Sequence, residues 1–149
     1  MARLVNADRA AFGLASLAYD QALTDVARWR SEDMAAGGAF SHDIADVPGR
    51  VVFDVLRELG VRYRAAGENL ARSGGGTDQT AAVAEAALMD SPTHRANILH
   101  PDFTHLGVGV AVAADGRVLY TQLFKTAWEP AATLATIESV SLAAHPTAP

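Results

Sequence analysis

Two imidazoles and one carboxylate are the residues of this chain best suited to chemistry: His42, Glu68 and His94. As a set they can hold zinc or another divalent cation with one position left open, or serve as base and acid with no metal at all. They lie far apart in sequence, so only the fold can bring them together. Taken singly, each has a plainer use. His42 can hydrogen-bond its own loop, Glu68 can cap or accept backbone N–H groups, and His94 can decorate a helix start.

Each is expected at the boundary of an element. Ser91 followed by Pro92 reads as an N-cap with proline at the first helical position, which puts His94 in the first turn, where the helix dipole disfavours imidazolium. Pro101 ends that helix by biasing His100 away from αR. Leu106 to Ala113 alternates branched and very small side chains and predicts a strand, with Gly107, Gly109, Ala111 and Ala113 on a face open to a close-packed helix. Asp115-Gly116 predicts a two-residue hairpin returning along Arg117 to Phe124. Glu68 falls where an alternating strand, Val61 to Ala66, runs into Gly67-Glu68-Asn69-Leu70. His42 falls in the loop Phe40-Ser41-His42-Asp43, just after Gly37-Gly38.

Upstream, Leu4 to Phe12 predicts a short helix ended by Gly13, and Gly13 to Tyr19 a linker. Asp20 caps a second helix on which Leu23, Val26, Ala27, Arg30 and Met34 recur at threes and fours. Pro48-Gly49 opens a third, ended by Gly60. The run Ser73 to Asp78 lacks the ending of a phosphate loop and reads as a flexible connection. Gln79 to Asp90 is an alanine-rich helix, apolar nearly all round and therefore expected to be buried. His100, His105 and His145 read as structural or solvent-exposed, Trp29 and Trp128 as core or edge packing, and Arg95 as the partner of a nearby acid.

A length of 149 residues, half of them hydrophobic, predicts one main domain, residues 1–128, with a covering segment and tail over 129–149. The net charge is −5, with no basic run, which argues against nucleic acid and anionic membrane surfaces as partners. The absence of cysteine excludes disulfides, thiolate nucleophiles and thiolate metal sites. No apolar run reaches the roughly 20 residues of a spanning helix, so no transmembrane segment is expected. Asn6 and Asp8 interrupt any signal-peptide core at the start of the chain.

The order and spacing of Phe40-Ser41-His42, Ala66-Gly67-Glu68-Asn69-Leu70, Ser91-Pro92-Thr93-His94-Arg95-Ala96-Asn97-Ile98-Leu99, Phe103 to Val110 and Tyr120 to Phe124 resemble a bacterial CAP domain. This is the superfamily of cysteine-rich secretory proteins, antigen 5 and pathogenesis-related proteins, also called SCP-like. The resemblance covers about Leu4 to Phe124. It implies an α+β fold, a three-layer α-β-α sandwich with a small antiparallel sheet. It also implies a cleft in which His42, Glu68 and His94 are the family's two histidines and central acid, often with a divalent metal such as Zn2+. The second glutamate of animal and plant members has no aligned counterpart; Glu85 and Asp90 are the acids nearby. Leu88 stands where tryptophan is common and Thr93 where bacterial members have glycine.

Three functions follow from these readings. The first is a secreted or cell-envelope binding module, monomeric, with a metal in the cleft and a lipid, peptide or envelope component as ligand. The second is a metal-assisted hydrolase in which Glu68 activates water on a cation held by His42 and His94. The third is a purely structural sandwich. No catalytic residue is assigned beyond that second alternative; with no signal peptide in the sequence, either the protein stays in the cytoplasm or a leader was removed before Met1.

Overall fold

The computed structural model describes residues 1–44, 47–73 and 81–128. The Ser73–Asp78 connection beyond Ser73, the start of the alanine-rich helix, the 129–149 segment and His145 lie outside the described residues.

Among the described residues, nine elements follow in the order α1 (Ala2–Ala11), β1 (Ala18–Tyr19), α2 (Gln21–Ala35), α3 (Val52–Glu58), β2 (Tyr63–Arg72), α4 (Ala81–Asp90), α5 (Pro92–Ile98), β3 (His105–Val112) and β4 (Val118–Ala127). The four strands form one sheet in the order β1-β3-β4-β2. β3 with β4 and β4 with β2 are antiparallel, as expected, whereas β1 pairs parallel with β3 through Ala18 and Tyr19. The expected linker over Gly13 to Tyr19 therefore ends in a short edge strand. Two residues are too few to show any period.

Helices cover both faces. On one side, Leu23, Val26 and Ala27 of α2 and Val52 and Leu56 of α3 pack with Leu123. On the other, Val5 of α1, Ala84 and Leu88 of α4 and Ile98 of α5 close over Leu106, Tyr120 and Phe124. The small face of β3 is what brings α2 close. A Cβ on Gly109 would stand 2.0 Å from the Ala27 carbonyl oxygen, and one on Gly107 2.3 Å from the Leu23 carbonyl carbon. The branched face is less covered, and Val110 and Val112 are exposed.

Local chemistry places the helix ends. The Asp20 carboxylate accepts the Leu23 N–H at 2.9 Å and starts α2. Helix α3 starts later than Pro48-Gly49 suggested, at Val51, whose N–H donates to Asp54 Oδ2 at 3.0 Å. Buried Arg9 of α1 donates to the carbonyls of Ile98 at 2.8 Å and His100 at 2.9 Å, satisfying the end of α5. The β3–β4 turn is one residue longer than a two-residue hairpin. Ala113 and Arg117 close it by a 2.8 Å bond, and Gly116 takes the left-handed conformation, φ 82°. Helix α4 is buried along one face only, through Ala84, Glu85 and Leu88, while Val83 is exposed. An alanine-rich helix reads as apolar on every side because its alanines carry no directional signal.

Candidate functional site

The loop bearing His42 is pinned from below by Arg30. This arginine occupies an inward position of α2 and is wholly buried. Its guanidinium donates to the carbonyls of Ser41 and Asp43, on either side of His42, and to Asp33 Oδ2 at 3.1 Å. The loop thus presents one side chain from two fixed peptides.

Glu68 lies within β2, not at its end; the strand continues through Gly-Glu-Asn-Leu to Arg72. Glycine and asparagine read as strand-breaking in sequence, yet both are held here by partners. Cross-strand neighbours share a face, so Glu68, opposite Leu123, belongs to the α2 side and Asn69, opposite Gln122, to the α4–α5 side. The Glu68 carboxylate is buried, with Oε2 2.8 Å from His42 Nδ1 and Oε1 3.6 Å from Arg30 Nε. A carboxylate can only accept, so the imidazole donates from Nδ1 and keeps Nε2 as its free nitrogen. The His42 side chain remains 57% exposed, and the hydrogen bond to Glu68 raises its pKa above the ordinary histidine value.

His94 stands in the first turn of α5, half-buried. Its pKa is lowered, first by burial and then by the charge on His42, so the imidazoles are within electrostatic reach of each other. The expected direction is right; its main cause is burial. β2 is the outer strand, and α5 packs against it from the α4 side of the sheet. Asn97 Nδ2 donates to the Glu68 carbonyl at 3.3 Å and to Asn69 Oδ1 at 2.8 Å, while Asn69 Nδ2 donates to the His94 carbonyl at 3.0 Å. The backbones of Glu68 and His94 are therefore tied together through two asparagines.

Of the three residues singled out in the sequence, His42 and Glu68 meet at 2.8 Å, while His94 is joined to them through its backbone, by way of Asn69 and Asn97; four residues make up this framework: Arg30, Asn69, Asn97 and Gln122. Arg30 had a legible signal, being the one charged residue in an otherwise apolar stripe. Asn69 and Asn97 lie inside the motifs that carry the family resemblance, with no role legible from their type alone. Gln122 had none, since a polar residue in an alternating strand reads as outward-facing. It is buried, accepting from Asn69 Nδ2 at 3.0 Å and donating to Glu85 Oε2 at 2.6 Å. Glu85 thus reaches the site only through Gln122 and Asn69. Asp90 lines a separate cleft with Glu85 and Asp8.

The other candidates have structural surroundings. His100 stacks on Phe103 at 4.5 Å, and His105 Nδ1 meets Thr104 Oγ1 at 2.8 Å. Trp29 and Trp128 are edge residues, the latter under Arg62. Arg95 lies over the Phe12 ring at 4.9 Å, where an acidic partner was expected. A planar guanidinium gains as much from a ring face as from an exposed carboxylate.

For a metal, the chemistry of the donors sets the fit. Among the described residues no group of three or more His, Cys, Asp or Glu side chains could hold an ion between them. Glu68 faces His42 with one oxygen and the Arg30 cation with the other. His42 Nε2 and the His94 imidazole remain as donors, and a carboxylate behind a ligating histidine is a recurrent support for such a pair.

An α-β-α sandwich with a histidine–glutamate pair at an outer strand, and a second histidine on the adjoining helix, defines a CAP-type domain. Residues 2–124 match the cysteine-rich secretory protein family, CAP, and the chain belongs to that family. It is 36% identical to YkwD of Bacillus subtilis (strain 168) over 121 residues, 81% of this chain and 44% of that protein. Among solved structures, an extracellular SCP-domain protein of Bacillus anthracis str. Ames is 36% identical, with a TM-score of 0.65, covering 81% of this chain and 37% of its own. An outer surface protein of Borrelia burgdorferi has the same fold at 18% identity, TM-score 0.72, covering 85% and 90%. The chain spans less than half the length of the two Bacillus relatives. Among the described residues, no helix is long and apolar enough to cross a membrane.

Proposed function

We propose that this chain is a binding module of the secreted or cell-envelope type whose cleft takes a divalent cation, such as Zn2+, on His42 and His94. Glu68 acts behind His42, fixing its tautomer and orientation. The ligand class is a lipid, peptide or envelope component outside the cell, in keeping with the extracellular relative of Bacillus anthracis. One observation carries the reading: the 2.8 Å contact between His42 Nδ1 and buried Glu68 Oε2, which leaves Nε2 as the donor.

The same contact weighs against metal-assisted hydrolysis. A general base must reach the water it activates, and Glu68 is engaged by His42 and faces the Arg30 guanidinium. When bound, the cation would supply a fixed positive charge and open coordination positions for an anionic or carbonyl group of the ligand.

Zinc titration of untagged protein by calorimetry tests this. The intact chain should bind about one ion with micromolar or better affinity, and the His42→Ala/His94→Ala double variant should not. Glu68→Gln should weaken binding by about 10–100-fold, as removal of such a support does elsewhere. No binding at micromolar zinc, or binding that survives the double substitution, would leave only a structural sandwich.

A further inference from the structure

On the α4–α5 side of the sheet, α1 and α4 flank an open cleft of about 340 Å3 whose walls are of two kinds. Leu4, Ala82 and Met89 are apolar, and Asp8, Glu85 and Asp90 are acidic. Glu85 is only 3% exposed. Its Oε2 accepts from Gln122, and its Oε1 is buried without a hydrogen-bond partner. Asp8 of α1 lies within hydrogen-bonding reach of the same carboxyl. Two acids facing each other beside an unsatisfied buried oxygen can both be ionised only with a positive charge between them.

We propose that this cleft binds an aliphatic primary ammonium group, the end of a lysine side chain or of a free diamine. An ammonium has three donors and no acceptor; two of them match Glu85 Oε1 and the Asp8 carboxylate, and the third is left to solvent at the open side of the cleft, where Asp90 adds negative charge. The methylene stem behind it matches Leu4, Ala82 and Met89. A hard metal ion fits less well, since it prefers six or more oxygens and no trio of acids here can hold one.

With the cleft free of amine, a proton takes the cation's place. Burial, and then the charge of Asp8, push the Glu85 carboxyl up to about 7, while Gln122 from β4 and the Met1 α-amino group pull the other way. Ammonium binding displaces this proton, so affinity must rise with pH across neutrality. Between pH 6 and pH 8 the ionised fraction of Glu85 goes from about one-tenth to about nine-tenths, which predicts roughly tenfold tighter binding at pH 8.

The probes are cadaverine, Nα-acetyl-lysine amide and, as an uncharged control, 1-pentanol, each titrated into the intact chain by calorimetry at pH 6 and pH 8. Saturable cadaverine binding is expected, about tenfold weaker at pH 6, lost in Glu85→Gln and weakened in Asp8→Asn, with none for pentanol. Equal binding of the lysine amide assigns the site to a lysine side chain of a partner; binding of cadaverine alone assigns it to a free diamine. Should Glu85→Gln fail to fold, Asp8→Asn and the pH comparison decide. Absence of binding at millimolar cadaverine, affinity independent of pH, or equal affinity in folded Glu85→Gln overturns the proposal.

Discussion

Replacing Glu85 by glutamine should stabilise the protein, and only above acidic pH. The glutamine oxygen can still accept from Gln122, and its NH2 group can donate to Asp8, so neither contact is lost. What disappears is the need to ionise a carboxyl that is 3% exposed beside another acid. The folded carboxyl titrates at about 7 instead of its ordinary 4.5. Because the folded state holds its proton to higher pH than the unfolded chain, the group's stability contribution is complete below 4.5, declines as pH rises to about 7, and is level above. At about 1.4 kcal/mol per pH unit, wild type forgoes up to about 3 kcal/mol at pH 8. Urea denaturation of both proteins at pH 4.5 and pH 8, in amine-free buffer, reads this directly. Glu85→Gln should match wild type at the lower pH and exceed it by up to about 3 kcal/mol at the higher, a gain of roughly 6–12 °C in Tm. A difference that is the same at both pH values, or a loss at pH 8, would refute the buried-acid argument.

Other substitutions probe the parts of the framework separately. Gly109→Ala places a methyl group within 2.0 Å of the Ala27 carbonyl, so α2 must lift from β3; a loss above about 3 kcal/mol is expected by denaturation, and an unchanged midpoint would contradict the close packing. Arg30→Met leaves the Glu68 carboxylate buried without its cation and frees the Ser41 and Asp43 carbonyls, for a loss of about 3–5 kcal/mol; less than about 1 kcal/mol would show that the loop is held otherwise. The His42–Glu68 pair contributes stability at pH below the ordinary histidine value and loses it as pH rises through the raised one. In Glu68→Gln, the His42 titration followed by NMR should therefore move down, and an unmoved curve would separate the two residues.

The elements that position the site were legible where one residue type has one physical use. Asp20 before an apolar stripe, Ser91-Pro92, and alternating glycine and valine on β3 each admit a single local geometry, and α2, α5 and the β3–α2 contact follow from them. The contacts within the site were less legible because its supporting groups are polar yet buried. Gln122 and Asn69 are satisfied by each other across β2 and β4, a partnership of residues far apart in the chain that composition does not record. Strand β1 is set by the β3 edge and not by its own two residues. Arg30 was visible as an anomaly and became meaningful only once the His42 loop closed over it.

The claim on which the site rests is that Glu68 holds His42 as the Nδ1–H tautomer with Nε2 free for a cation. Long-range proton–nitrogen NMR of the two imidazoles, recorded above neutral pH on untagged protein before and after one equivalent of zinc, measures it. The account predicts a protonated Nδ1 on His42 throughout, with the His42 Nε2 signal shifting on addition of zinc together with one nitrogen of His94. A His42 ring protonated at Nε2, or zinc that leaves both rings unchanged, would contradict it.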